Sequence, residues 1–200
     1  LSLCNKNMEK KGTTKITDKN DLLADVCLAA NYEAQSLINY REQYDAEYSS
    51  GSGSTMCTML ARSFADIGDI IRGKDLYIRN KKKDKLEENL KKIFENIYEK
   101  LLQENQKNGK NVALQARYQD EKDRNYYKLR EDWWTANRHT VWEALTCSKE
   151  LNNSSYFRPT CDSVDGKGPS QTHNKCRCPK TSDNVSIVPT YFDYVPQFLR

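Results

Sequence analysis

Histidine is scarce in this chain, at 2 among 200 residues. His139 and His173 have no evident serine or cysteine partner, and no phosphate-cradling glycine loop, metalloprotease helix or nucleophile elbow occurs. Catalysis therefore lacks its usual parts, and no cofactor is implied. No apolar run approaches the roughly 18 residues of a membrane span, and no signal peptide is visible, so any anchor is expected outside this segment. Neither charge sign dominates: 32 basic and 28 acidic side chains leave +4. That is too balanced for a generic nucleic-acid binder, so local patches matter more than the total. An initiator methionine and internal repeats are also missing. The chain begins at Leu1 and stops at Arg200 in mid-pattern, which reads as an excerpt.

What the chain does have is cysteine and helical period. Seven cysteines in so polar a sequence point to disulfides and an oxidising compartment, and the odd count fits an excerpt. The organising stretch is Thr55 to Tyr77, TMCTMLARSFADIGDIIRGKDLY. Its Met56, Leu60, Phe64, Ile67 and Ile71 recur every three or four residues, as on one buried helix face. Ser54 or Thr55 is the candidate N-cap and Gly73 the stop. Gly68 inside the helix costs about 1 kcal/mol against alanine, which predicts close approach by another backbone.

In chain order, residues 1–19 are a polar, irregular lead-in and residues 20–147 a helical core. A first helix is predicted from Asp21 to about Tyr48, capped by Asp18 or Asn20, with Leu22, Leu23, Val26, Ala30, Leu37 and Tyr44 as its apolar stripe. SSGSGS at 49–54 is a flexible linker by composition. A third helix is set by Leu86, Leu90, Ile93, Ile97 and Leu101, ending in polar residues around Gly109. A fourth runs from about Lys122 to Cys147, with Leu129, Trp133, Ala136, Val141, Trp142 and Leu145 on its buried side. Residues 148–200 are cysteine-rich loops, with Pro196 placed to open a further helix.

ARSFADIGDIIRGKDLY resembles the signature of the Duffy-binding-like domains, alpha class, of the Plasmodium falciparum erythrocyte membrane protein 1 adhesins. LLADVCLAANYE, YYKLREDWWTANRHTVWEALTC and YFDYVPQFLR follow the same family's order. The resemblance implies an all-α Duffy-binding-like bundle of long antiparallel helices with a disulfide-rich irregular C-terminal segment, of which residues 1–200 are a part. It implies host-cell adhesion by a variant surface antigen outside the infected erythrocyte. The partners implied are host receptors or glycans: heparan sulfate, blood-group antigen or complement receptor, as in rosetting, beside neighbouring adhesin domains. A head module whose neighbour makes the main contact is the alternative.

Antiparallel packing of the central and fourth helices would bring Cys57 to Cys147, and the family's interhelical disulfide matches that pair; pairing of each elsewhere stays open. The resemblance also implies that Cys4 pairs upstream. Cys161, Cys176 and Cys178 are the other disulfide candidates, with a zinc set of Cys161, His173, Cys176 and Cys178 as the alternative. Arg79, Lys81, Lys82, Lys83, Lys85, Lys91 and Lys92 have the density of a heparin-type patch, against the plainer reading of a solvated helix start. Trp133, Trp134, Trp142, Tyr126 and Tyr127 are a candidate sugar-stacking platform, although helical spacing favours burial of Trp133 and Trp142. Asn152, Asn153 and Asn184 head N-x-S sequons, which mark exposed loops.

Overall fold

The computed structural model describes residues 19–47, 56–75, 81–105, 111–118, 125–161, 168–172, 174–179 and 187–200. Within them the chain is helical: α1 Lys19–Glu47, α2 Met56–Arg72, α3 Lys81–Asn105, α4 Asn111–Tyr118 and α5 Tyr127–Leu145. Short 3-10 turns follow at Lys149–Leu151, Phe192–Tyr194 and Gln197–Leu199. Among the described residues, extended pairing is confined to two isolated bridges, Cys161 with Ser170 and Asn174 with Arg177. No described helix is long and apolar enough to cross a membrane.

The stripe read from α2 is buried as its period requires: Leu60, Phe64, Ile67 and Ile71 face the core, joined by Cys57, Ala61 and Ala65. Gly73 ends the helix at φ 71°. Its N–H donates to the Ile70 carbonyl at 3.2 Å and the Lys74 N–H to the Asp69 carbonyl at 2.8 Å, the paired bonds of a Schellman stop. The expected end at Tyr77 lies outside the described residues. Gly68 is where the expectation fails in detail. A Cβ there would meet Trp134 Cζ2 at 2.8 Å, so the close approach is made by an indole ring and not by a backbone.

α5 sits at the centre because two of its sides are buried. Trp133 packs edge-on against Phe94 of α3 at 6.2 Å, while Trp134 lies against Phe64 of α2 at 5.1 Å. Adjacent residues on a helix point about 100° apart, so one tryptophan goes to each neighbour. Ala136, expected inside, is exposed.

Contacts along the helices give their directions. Phe64 meets Trp142 at 5.1 Å while Arg72 meets Glu131 at 3.3 Å, so α2 and α5 run antiparallel. Trp133 donates to the Lys19 carbonyl at 3.3 Å and Asn31 to Cys147 Sγ at 3.0 Å, so α1 and α5 run parallel. α1 and α2 are thus antiparallel, bridged where Ser63 donates to buried Glu33 at 2.8 Å.

The expected Cys57–Cys147 disulfide is corrected by the structure, which joins Cys57 to Cys176 with Cα atoms 5.5 Å apart, and Cys161 to Cys178. Antiparallel packing does bring the end of α5 toward Cys57. Cys147, however, lies past the last helical residue, is exposed, and turns its sulfur to Asn31 of α1. The place beside Cys57 is taken by Cys176, whose carbonyl accepts from Trp142 Nε1 at 3.1 Å. The zinc alternative falls with this, since three of its four donors are in disulfides. His173 and Cys4 lie outside the described residues. Pro196 precedes a single 3-10 turn rather than a new α-helix within the described chain.

Candidate functional site

The lysine stretch singled out in the sequence forms the start of α3. Lys81, Lys82 and Lys83 are in its first turn, with Arg79 outside the described residues. Lys85 and Lys92 are exposed and two turns apart on one face, and Lys91 is half-buried. Glu88 is exposed on the same face between them. Four of the first five residues of α3 are lysines, with Asp84 among them, so a net positive charge lies where the backbone dipole adds to it. Glu87 is drawn away from that face: Arg130 of α5 donates to its two oxygens at 2.5 and 2.9 Å. Arg130 also donates to the Ile71 carbonyl at 2.6 Å, tying α3 to the end of α2.

The aromatic platform is not available. Trp133, Trp134 and Trp142 are 5%, 0% and 0% exposed, so none offers a face to a sugar. Their N–H groups are spent inside, Trp134 donating to Asp193 Oδ2 at 2.9 Å. Tyr127 remains exposed and Tyr126 is half-buried.

A row of buried residues on α5, most of them unmarked by the apolar period, braces the neighbouring helices and the C-terminal segment. Arg130, Trp134, Arg138 and Trp142 recur every fourth position of α5 and are all buried. Arg138 grips the Asp193 carboxylate through Nε and Nη2 and also donates to the Thr190 carbonyl at 2.9 Å. Arg72 adds a bond to the Asp193 carbonyl, and Arg200 pairs with Asp66 at 3.0 Å and with Asp69. The signal that could have found those on α5 is two arginines and two tryptophans alternating every fourth residue.

Two titratable groups are shifted from their ordinary values, each for a plain cause. Burial pushes the Cys27 thiol up to about 11. Arg117, hydrogen-bonded to Asp132 at 2.7 and 2.8 Å, holds that carboxyl below its ordinary value; partial burial opposes this and the Tyr118 hydroxyl adds to it. This clasp fastens short α4 to α5.

Among the described residues the structure is thus a helical scaffold with irregular C-terminal segments tied by two disulfides. The family model of the Duffy binding domain matches residues 1–200, and the chain belongs to that family. Among solved structures it is similar to the NTS-DBL1(alpha-1) domain of the Plasmodium falciparum membrane protein 1 (PfEMP1) of the varO strain, with 37% identity and TM-score 0.69, covering 98% of this chain and 39% of that one. It is also similar to the ICAM-1-binding PfEMP1 IT4var13 DBLbeta domain, with 30% identity and TM-score 0.65, covering 99% of this chain and 39% of that one. The chain thus spans about two fifths of the length of these relatives. No curated protein sequence matches it. The alpha-class resemblance agrees with the first relative, and Duffy-binding-like domains of this kind are adhesion modules and not enzymes.

Proposed function

We propose that residues 1–200 are part of one adhesion domain of a variant surface antigen, displayed on the outer face of infected erythrocytes and anchored outside this segment. Its basic surface at the start of α3 meets a sulfated host glycan of the heparan sulfate kind, as in rosetting. The observation that supports this most is the density of charge there: Lys81, Lys82, Lys83 and Lys85 fall within the first five residues of α3, with Lys92 exposed two turns on. Blood-group antigen and complement receptor are the other red-cell partners of this reading, and neighbouring domains share the head.

A protein receptor is the second reading, favoured by the likeness to a domain described as ICAM-1-binding. Binding to red cells before and after heparinase separates the two. The glycan reading expects binding to fall after the enzyme and under soluble heparin. Unchanged binding in both arms would assign the contact to a protein or to the neighbouring domain.

A further inference from the structure

An open groove of about 580 Å³ lies between α2 and the irregular segments around Phe157 and Tyr191. That volume is within the usual range for a ligand cleft. Its walls are mainly apolar, including Phe157 and Tyr191, which are 48% and 72% exposed, together with Pro159 and Pro189. The walls are fastened in advance. Gln171 Nε2 donates to the Phe157 carbonyl at 2.8 Å, the Thr160 hydroxyl donates to the Pro189 carbonyl, and the Cys161–Cys178 disulfide ties the lobe. A groove already shaped loses little freedom when it is filled.

The charge of its described lining has one sign. Arg62 from α2 and Arg158 line it, both exposed, and the Arg158 guanidinium lies 5.1 Å from the Phe157 ring centre. Among the described lining residues none is acidic. An occupant must therefore bring apolar surface for the trough and negative charge for its arginines. A sulfated sugar brings the charge with a hydroxyl-rich body, for which rings and prolines offer few hydrogen bonds. An acidic peptide with an aromatic or aliphatic anchor brings both.

We propose that this groove seats a short acidic, apolar-anchored peptide segment of a protein partner, with its carboxylates on Arg62 and Arg158 and its anchor between Phe157 and Tyr191. This rests on adhesion as the work of the domain and deepens the protein-receptor reading. It uses no residue of α3, so its failure leaves the glycan reading standing, and failure of the glycan reading leaves the groove untouched.

The test is fluorescence anisotropy of the whole chain with a labelled DELFED peptide, beside DEGGED, which lacks the anchor, and KKLFKK, which reverses the charge. DELFED is expected to bind saturably and the other two not. Arg62→Glu with Arg158→Glu should weaken DELFED about tenfold or more, as should Phe157→Ala. Circular dichroism checks folding, and Arg62→Gln with Arg158→Gln replaces the reversal where that disturbs it. Absence of saturable DELFED binding overturns the proposal, as does equal binding by the arginine variants. So does a heparin oligosaccharide that binds these arginines when the peptide does not.

Discussion

Arg138 on α5 holds Asp193 by both carboxylate oxygens, Nε to Oδ2 at 2.9 Å and Nη2 to Oδ1 at 2.8 Å, with both side chains buried. The pair fastens the C-terminal segment to a helix 55 residues earlier. Removing one partner strands the other charge in a dry site. Arg138→Ala or Asp193→Ala should therefore cost about 3–5 kcal/mol in chemical denaturation, and an apolar replacement of both should recover much of it. A loss under about 1 kcal/mol from either single change would show that the pair is not buried as described.

Gly68→Ala tests the contact between α2 and α5. Helix propensity alone predicts a gain of about 1 kcal/mol. The added methyl lands within 2.9 Å of two indole carbons of Trp134, and overpacking of that kind costs about 1–3 kcal/mol. The expected outcome is a lower Tm, restored in part by Trp134→Phe. A raised Tm would mean that the indole is elsewhere.

The two disulfides should differ in worth. In the chain-entropy account, Cys57–Cys176 with a separation of 119 stabilises by about 5 kcal/mol and Cys161–Cys178 with 17 by about 3 kcal/mol. Paired serine substitutions should lower stability in that order. Non-reducing peptide mapping should recover Cys57 linked to Cys176; a Cys57–Cys147 peptide would contradict the structure.

Asp132 gives the pH dependence. Its folded-state pKa is lowered, chiefly by the Arg117 hydrogen bonds. Its contribution is then present above the unfolded carboxyl value of about 3.9 and is lost as pH falls through the lower folded value. The protection factors of the α4 amides, with the intrinsic pH dependence of exchange divided out, should hold from neutral pH to about 4 and fall below it. Asp132→Asn should already exchange faster at neutral pH, by a small and salt-sensitive margin, because the pair is partly exposed. No difference at any pH would remove the clasp.

The period of α2 was readable because all five stripe positions are apolar and the stop is a glycine. α1 was harder: Asp25 and Glu33 are buried beside Val26, Ala30 and Ala34, and polar residues on the inner face blur the stripe. On α5 a single-face reading captured Trp133 and Trp142 but placed exposed Ala136 inside and missed Arg130 and Arg138, because a second buried face has no place in an amphipathic pattern. α4 has eight residues, too few for a period to stand out. Disulfide partners were the least readable, since Cys176 reaches Cys57 through an irregular loop whose path no spacing rule encodes. The basic start of α3 was visible as composition; that Arg130 removes Glu87 from its field was not.

Adhesion through the basic start of α3 is measured by retention on heparin as salt is raised. Lys81→Glu, Lys82→Glu and Lys83→Glu together should shift elution to clearly lower salt while the helical circular dichroism is unchanged. Elution at the same salt as the parent chain would contradict it.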